Sequence, residues 1–73
     1  MAYLTINNYE IEPCRIVTLF NNDEVVEICN EKEVEFWSVY NKTPDGFSDW
    51  TEDFNTFKES VDCVAALLFK KRQ

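Results

Sequence analysis

No histidine occurs among the 73 residues. The commonest general base and the commonest metal ligand are therefore both missing. Glycine is almost as scarce, with Gly46 alone. No glycine-rich loop is present to cradle a phosphate, which excludes sites of the P-loop and dinucleotide type. A single glycine and two prolines also leave no flexible linker composition. Cys14, Cys29 and Cys63 are widely spaced and form no Cys-x-x-Cys pair. Three cysteines cannot all pair within one chain, and a structural zinc site wants four Cys or His ligands. They read as free, mostly buried thiols of a reducing cytosol. The opening residues Met1-Ala2-Tyr3-Leu4 lack the basic and apolar regions of a secretory signal. The longest wholly apolar run, Val64 to Phe69, is far short of the roughly 20 residues a membrane helix needs. A cytoplasmic protein with no membrane partner is expected.

Bases are few as well. Seven stand against 14 acids, for a net charge of −7. Three of the seven are the tail residues Lys70, Lys71 and Arg72, so the rest of the chain is more acidic than the total implies. Such a body repels nucleic acid and anionic membrane and attracts basic surfaces. What the chain does have is apolar and aromatic content, 45% and 15% of residues, enough for a core and too much for a disordered segment. The length allows one domain, 1–73. A chain this short buries only about 60% of its unfolded surface, so that core is small.

The first two thirds read as strands. Tyr3 to Ile6 and Tyr9 to Ile11 flank the turn-prone pair Asn7-Asn8. Pro13 breaks regularity or marks a sheet edge. Arg15 to Phe20 and Val25 to Cys29 are β-branched, apolar runs on either side of Asn21-Asn22-Asp23. The spacing of Val25, Ile28 and Cys29 also fits a short helix within Asp23 to Glu33, but the Val25-Val26 pair favours strand. Val34 to Lys42 is the longest strand. Thr43-Pro44-Asp45-Gly46 is a tight turn, and Phe47 to about Glu52 returns antiparallel. Thr56-x-x-Glu59 matches a capping box and opens a helix. Phe57, Val61, Val64 and Leu68, with Ala65 beside them, form its apolar face. Lys70, Lys71 and Arg72 suit its C-terminal end, where the helix dipole is negative. The expected fold is α+β: a small antiparallel sheet of four or five strands and one C-terminal helix packed on one face.

A single helix covers one sheet face, and the other should then be polar. The strands do not alternate so cleanly. Val34, Phe36 and Tyr40 point one way while Trp37 and Val39 point the other. Ile16 and Phe20 likewise oppose Val17 and Leu19. Either the N-terminal segment folds over the second face or a partner covers it, a second copy included. Trp37, Tyr40, Phe47 and Trp50 are the aromatic anchors to watch, because Trp and Tyr are enriched at binding hot spots.

No chemistry stands out. No cysteine has an evident base beside it, and no series of alternating acids leads to Gly46 as a calcium loop requires. The chain reads as non-enzymatic, with no metal and no cofactor. Its acids make better sense as a field that imitates a nucleic-acid backbone or simply maintains solubility. Candidate partner-binding residues are Glu31, Glu33, Glu35, Asp45, Asp49, Glu52 and Asp53, with Trp37, Tyr40 and Trp50. The expected partner is a basic nucleic-acid-binding protein or complex, with no direct contact to nucleic acid. The rival readings are a homodimeric assembly protein that uses the second sheet face, an immunity or antitoxin-type inhibitor of a basic toxin, and a minor regulatory domain whose charge serves only solubility.

Small size, acidity, the lack of catalytic residues and the meander-plus-helix plan together resemble small accessory proteins of bacteriophages and mobile elements. Anti-CRISPR proteins and other nucleic-acid mimics are the nearest in style. The resemblance is one of overall character across the whole chain. Val39-Tyr40, Asp45-Gly46-Phe47 and Trp50-x-x-Asp53-Phe54 are strand and turn chemistry, and no functional residue carries over from a family. The resemblance implies a bacterial host cytosol and inhibition by occluding a host complex.

Overall fold

The computed structural model describes residues 3–71. Five strands precede one helix: β1 (Leu4–Ile6), β2 (Tyr9–Thr18), β3 (Glu24–Ile28), β4 (Phe36–Lys42), β5 (Ser48–Phe54) and α1 (Phe57–Lys71). All strand pairs are antiparallel, in the order β1-β2-β4-β5, and β3 also pairs with β2. The α+β expectation therefore holds, with β5 as the fifth strand and α1 packed over β4, β5 and β2.

The two short strands expected around Pro13 are one strand of 10 residues. Main-chain groups of alternate residues face alternate edges of a strand. Cys14 C=O accepts from Glu35 N–H at 2.9 Å, on the β4 side, and Pro13 C=O accepts from Cys29 N–H at 2.9 Å, on the opposite side. Tyr9 and Ile11 share the Pro13 edge, so β1 and β3 lie end to end along one edge of β2. The N–H that Pro13 lacks would have closed only the last rung of the β2–β3 ladder. That is why proline is tolerated inside a central strand here.

Two hairpins use the same three-residue loop. In the first, Leu19 N–H donates to Asp23 C=O at 2.7 Å and Asn22 N–H to Leu19 C=O at 3.0 Å. In the second, Thr43 N–H donates to Phe47 C=O at 2.8 Å and Gly46 N–H to Thr43 C=O at 3.0 Å. Each loop closes with a residue at positive φ, Asn22 at 70° and Gly46 at 92°. This is a type I turn followed by a left-handed residue, which Gly and Asn tolerate best. Asn7, at φ 55°, starts the β1–β2 turn in the same region.

The core lies between α1 and one sheet face. Tyr9, Ile11, Trp37, Val39 and Val64 are its buried members, and Leu4, Ile6, Phe54, Phe57, Val61, Leu67 and Leu68 pack around them. Trp37 is 8% exposed, and its ring lies 4.9 Å from that of Phe57 and 5.1 Å from that of Tyr3. The helix opens with half of the expected capping box, since the Glu59 carboxylate takes the Thr56 hydroxyl and not the Thr56 main-chain N–H. Glu59 N–H donates to Thr56 Oγ1 at 3.2 Å, and the Thr56 hydroxyl donates to Glu59 Oε1 at 2.9 Å. Ala65 is exposed instead of lying beside the apolar face, and Ser60 is buried in the first turn, where its hydroxyl donates to Phe57 C=O at 2.6 Å. Arg72, the last base of the expected basic tail, lies outside the described residues, as does the Met1-Ala2 start.

The N-terminal segment does not fold over the second face. It enters the plane of the sheet as β1, in register Leu4↔Ile11 and Ile6↔Tyr9. A three-residue strand joined to β2 by a two-residue turn satisfies its main chain by pairing with β2, which keeps it in the plane of the sheet.

Candidate functional site

Strand alternation assigns each residue to a face. Glu10↔Tyr40, Glu12↔Ser38 and Cys14↔Phe36 are paired across β2 and β4 and face away from the helix. Ile16↔Val26 and Cys14↔Ile28 continue that open face onto β3. On β5 the register shifts between Val39 and Tyr40, so that Glu52 opposes Val39 and Trp50 opposes Tyr40. Thr51 is the extra residue of a β-bulge. In a regular strand Trp50 and Asp53, three residues apart, would point to opposite faces. The bulge brings both onto the open face.

The result is a carboxylate and aromatic cluster. The Trp50 indole N–H donates to Asp53 Oδ1 at 2.8 Å, and the Ser38 hydroxyl donates to the same oxygen at 2.5 Å. Ser48 donates to Glu10 Oε1 at 3.3 Å. Trp50 remains 60% exposed even though its polar end is fixed. Tyr40 beside it is half-buried, and its hydroxyl is pushed up from the ordinary phenol value chiefly by burial. Burial, and then Glu10, also raises the Glu12 carboxyl above its usual range. Cys14 lies beneath these side chains, and burial raises its thiol too. An exposed indole held by Asp53, on a face that also carries Glu10 and Glu12, suits a guanidinium or ammonium group, which gains from both the ring and the carboxylates. Among the described residues no group of three or more cysteines and carboxylates is placed to hold a metal ion.

Of the residues expected at a partner site, this face gathers Tyr40, Trp50 and Asp53. The others lie elsewhere. Asp45 accepts the Thr43 hydroxyl at the turn. Asp49 and Glu52 oppose Asn41 and Val39, on the helix side. Glu31 accepts from the Tyr3 hydroxyl at 2.8 Å, Glu33 pairs with Arg15 Nη1 at 2.7 Å, and Glu35 Oε1 caps Ile16 N–H at 2.7 Å. These three carboxylates hold the β3–β4 connection in place and do not form an array. Trp37 belongs to the core and offers no surface. Phe47, in the turn, is exposed. Glu10 and Glu12 were missed as site residues, although the signal was present: with Tyr9 and Ile11 in the core, they must face the other way.

A second surface stands apart. The β2–β3 hairpin carries exposed Ile16, Val26 and Ile28 on the open face, Val25 on the helix side, and Leu19 and a fully exposed Phe20 near its tip. A cleft of about 270 Å³, lined by Tyr3, Pro13, Ile28, Cys29, Asn30 and Glu31, lies where β1 gives way to β3.

By architecture the chain is an α+β protein, a five-stranded antiparallel sheet followed by one C-terminal helix packed against it. Comparison with protein-family models, with curated proteins and with solved structures gave no match. Among the described residues no helix is long and apolar enough to cross a membrane.

Proposed function

We propose that this chain is a non-enzymatic acidic binding protein whose open sheet face engages a basic nucleic-acid-binding host protein and occludes it. The observation that carries this reading is the exposed Trp50, fixed by Asp53 and opposite Tyr40, on the same sheet face as Glu10 and Glu12. An aromatic anchor held rigid loses little side-chain entropy on binding, and the carboxylates around it attract cationic side chains. The anti-CRISPR resemblance supplies the specific target, a CRISPR effector complex in a bacterial cytosol. The shape fits a role in occlusion, because the molecule is flat, measuring 47 × 28 × 18 Å.

The test is capture from a bacterial lysate at low salt, followed by elution with salt and, separately, with DNA or RNA. The reading expects a nucleic-acid-binding protein that both treatments release, since exposed charge pairs are screened by salt and a mimic competes with what it mimics. Retention indifferent to salt and to nucleic acid would contradict it.

A further inference from the structure

Edge strands invite pairing unless they are short, charged, bulged or capped, and the edges of this sheet differ in that respect. β1 has three residues. β5 carries Asp49, Glu52 and Asp53 and the Thr51 bulge. The stretch of β2 beyond Cys14, on the β4 side, is capped where Glu35 takes Ile16 N–H. β3 has none of these protections in full. All five of its residues are exposed, three of them are Val25, Val26 and Ile28, and among the described residues no strand pairs with its outer edge.

We infer that the outer edge of β3 pairs antiparallel with β3 of a second copy, with Val26 opposite Val26. The main-chain parity decides which groups are available. Cys29 N–H bonds Pro13 and Leu19 N–H bonds Asp23, so the inward rungs of the β2–β3 ladder fall on odd-numbered residues. The N–H and C=O groups of Glu24, Val26 and Ile28 therefore point outward. Charge then decides the register. With Val26 on the two-fold axis, Glu24 meets Ile28 and Glu27 meets Val25, and Val26 and the Glu24–Ile28 pairs exchange hydrogen bonds in both directions. A slip one way sets Glu27 directly against Glu27 of the second copy. A slip the other way sets Glu27 against Asp23. Like charges directly opposite destabilise a sheet, and the Arg15 guanidinium 3.4 Å from Glu27 is shared with Glu33, so of these three registers the one centred on Val26 avoids acid facing acid.

Two features agree with this arrangement. The axis is perpendicular to the sheet, so both open faces look the same way and their apolar Ile16, Val26 and Ile28 stripes join. The same register also sets the turn of the second copy beside Cys29 and Asn30, which line the cleft. Phe20, the most exposed apolar side chain at that turn, is available to fill it.

The test combines light-scattering mass across protein concentration, at low and high salt, with residue-resolved amide exchange. A dimer is expected that gains population with salt, because two chains of net charge −7 repel one another less when screened. The Val26 and Ile28 amides should gain protection as the dimer forms, while those of Val25 and Glu27 are protected throughout. Val26→Pro removes an outward N–H that the chain's own ladder does not use, and Val26→Lys places two ammonium groups face to face. Both variants should be folded by circular dichroism and monomeric. A wild-type chain that stays monomeric at every concentration and salt, or a folded variant that still dimerises, would overturn the inference. Failure here is separable from failure of the open-face reading, since capture of a basic partner weakens with salt and should survive Val26→Pro.

Discussion

Trp37 is a buried aromatic residue of the core. It joins Tyr3 and Phe57 into one cluster and lies against Ile11 and Val39. Truncating a buried Trp costs about 3–5 kcal/mol, a large share of the roughly 5–15 kcal/mol a small domain has. Trp37→Ala should remain foldable but with its urea midpoint lowered by the equivalent of about 3–5 kcal/mol, as denaturant titration followed by far-UV circular dichroism would record; an unchanged midpoint would show that the cluster is not the core. Trp50 shows that residue type alone does not tell a core tryptophan from a surface one. Both sit in amphipathic strands, and only the register separates them. Glu12 makes a prediction in pH. Its carboxyl is raised above 4.5 on folding, mainly by burial. A group raised in this way favours the fold while protonated, below its ordinary value, and that contribution is lost as pH rises through the folded value. Glu12→Gln should therefore be more stable than the parent at pH 7, and the gap should close as pH falls toward 4, read from urea midpoints. An unchanged or lowered midpoint at pH 7 would contradict the burial argument.

At the scale of elements, strands and helix were largely legible, because period-two and period-four patterns follow directly from how side chains project. The turns at Asn21-Asn22-Asp23 and Thr43-Pro44-Asp45-Gly46 were legible for the same reason that they form, the tolerance of Asn and Gly for positive φ. Pro13 was not. Its placement depends on β1 and β3 sharing one edge of β2, a long-range fact that no local pattern records. The Thr51 bulge was equally hidden, since no glycine or charge marks it, yet it decides that Trp50 and Asp53 share a face. Only part of the candidate site could therefore be read from spacing. Asp45, Asp49, Glu52 and Asp53 look like one cluster in sequence and are divided between the turn and the two faces in space. The helix start was legible and is testable. Thr56 accepts Glu59 N–H at 3.2 Å, and loss of such a cap costs about 1 kcal/mol. Thr56→Ala should lower the thermal midpoint by several degrees and Thr56→Ser by little; equal losses would mean that the hydroxyl does not act as a cap.

At the scale of the molecule, one face of the sheet is buried beneath a helix and the other is bare. The bare face is neither plainly polar nor plainly apolar. Carboxylates, an indole and a phenol occupy its β2–β4–β5 half, and aliphatic side chains occupy its β2–β3 half. These halves suit different contacts, the first a cationic surface and the second another strand or apolar group. A protein whose acidity served only solubility would need no exposed Trp fixed by a carboxylate. The measurement that bears most directly on this claim is lysate capture by the wild-type chain beside Trp50→Ala and a Glu10→Lys, Asp53→Lys double variant, each first shown to be folded. The account predicts that a salt-released, nucleic-acid-displaced protein is retained by the wild type, weakened by Trp50→Ala and lost with the charge reversal. Equal retention by all three, or by the charge-reversed chain alone, would contradict it.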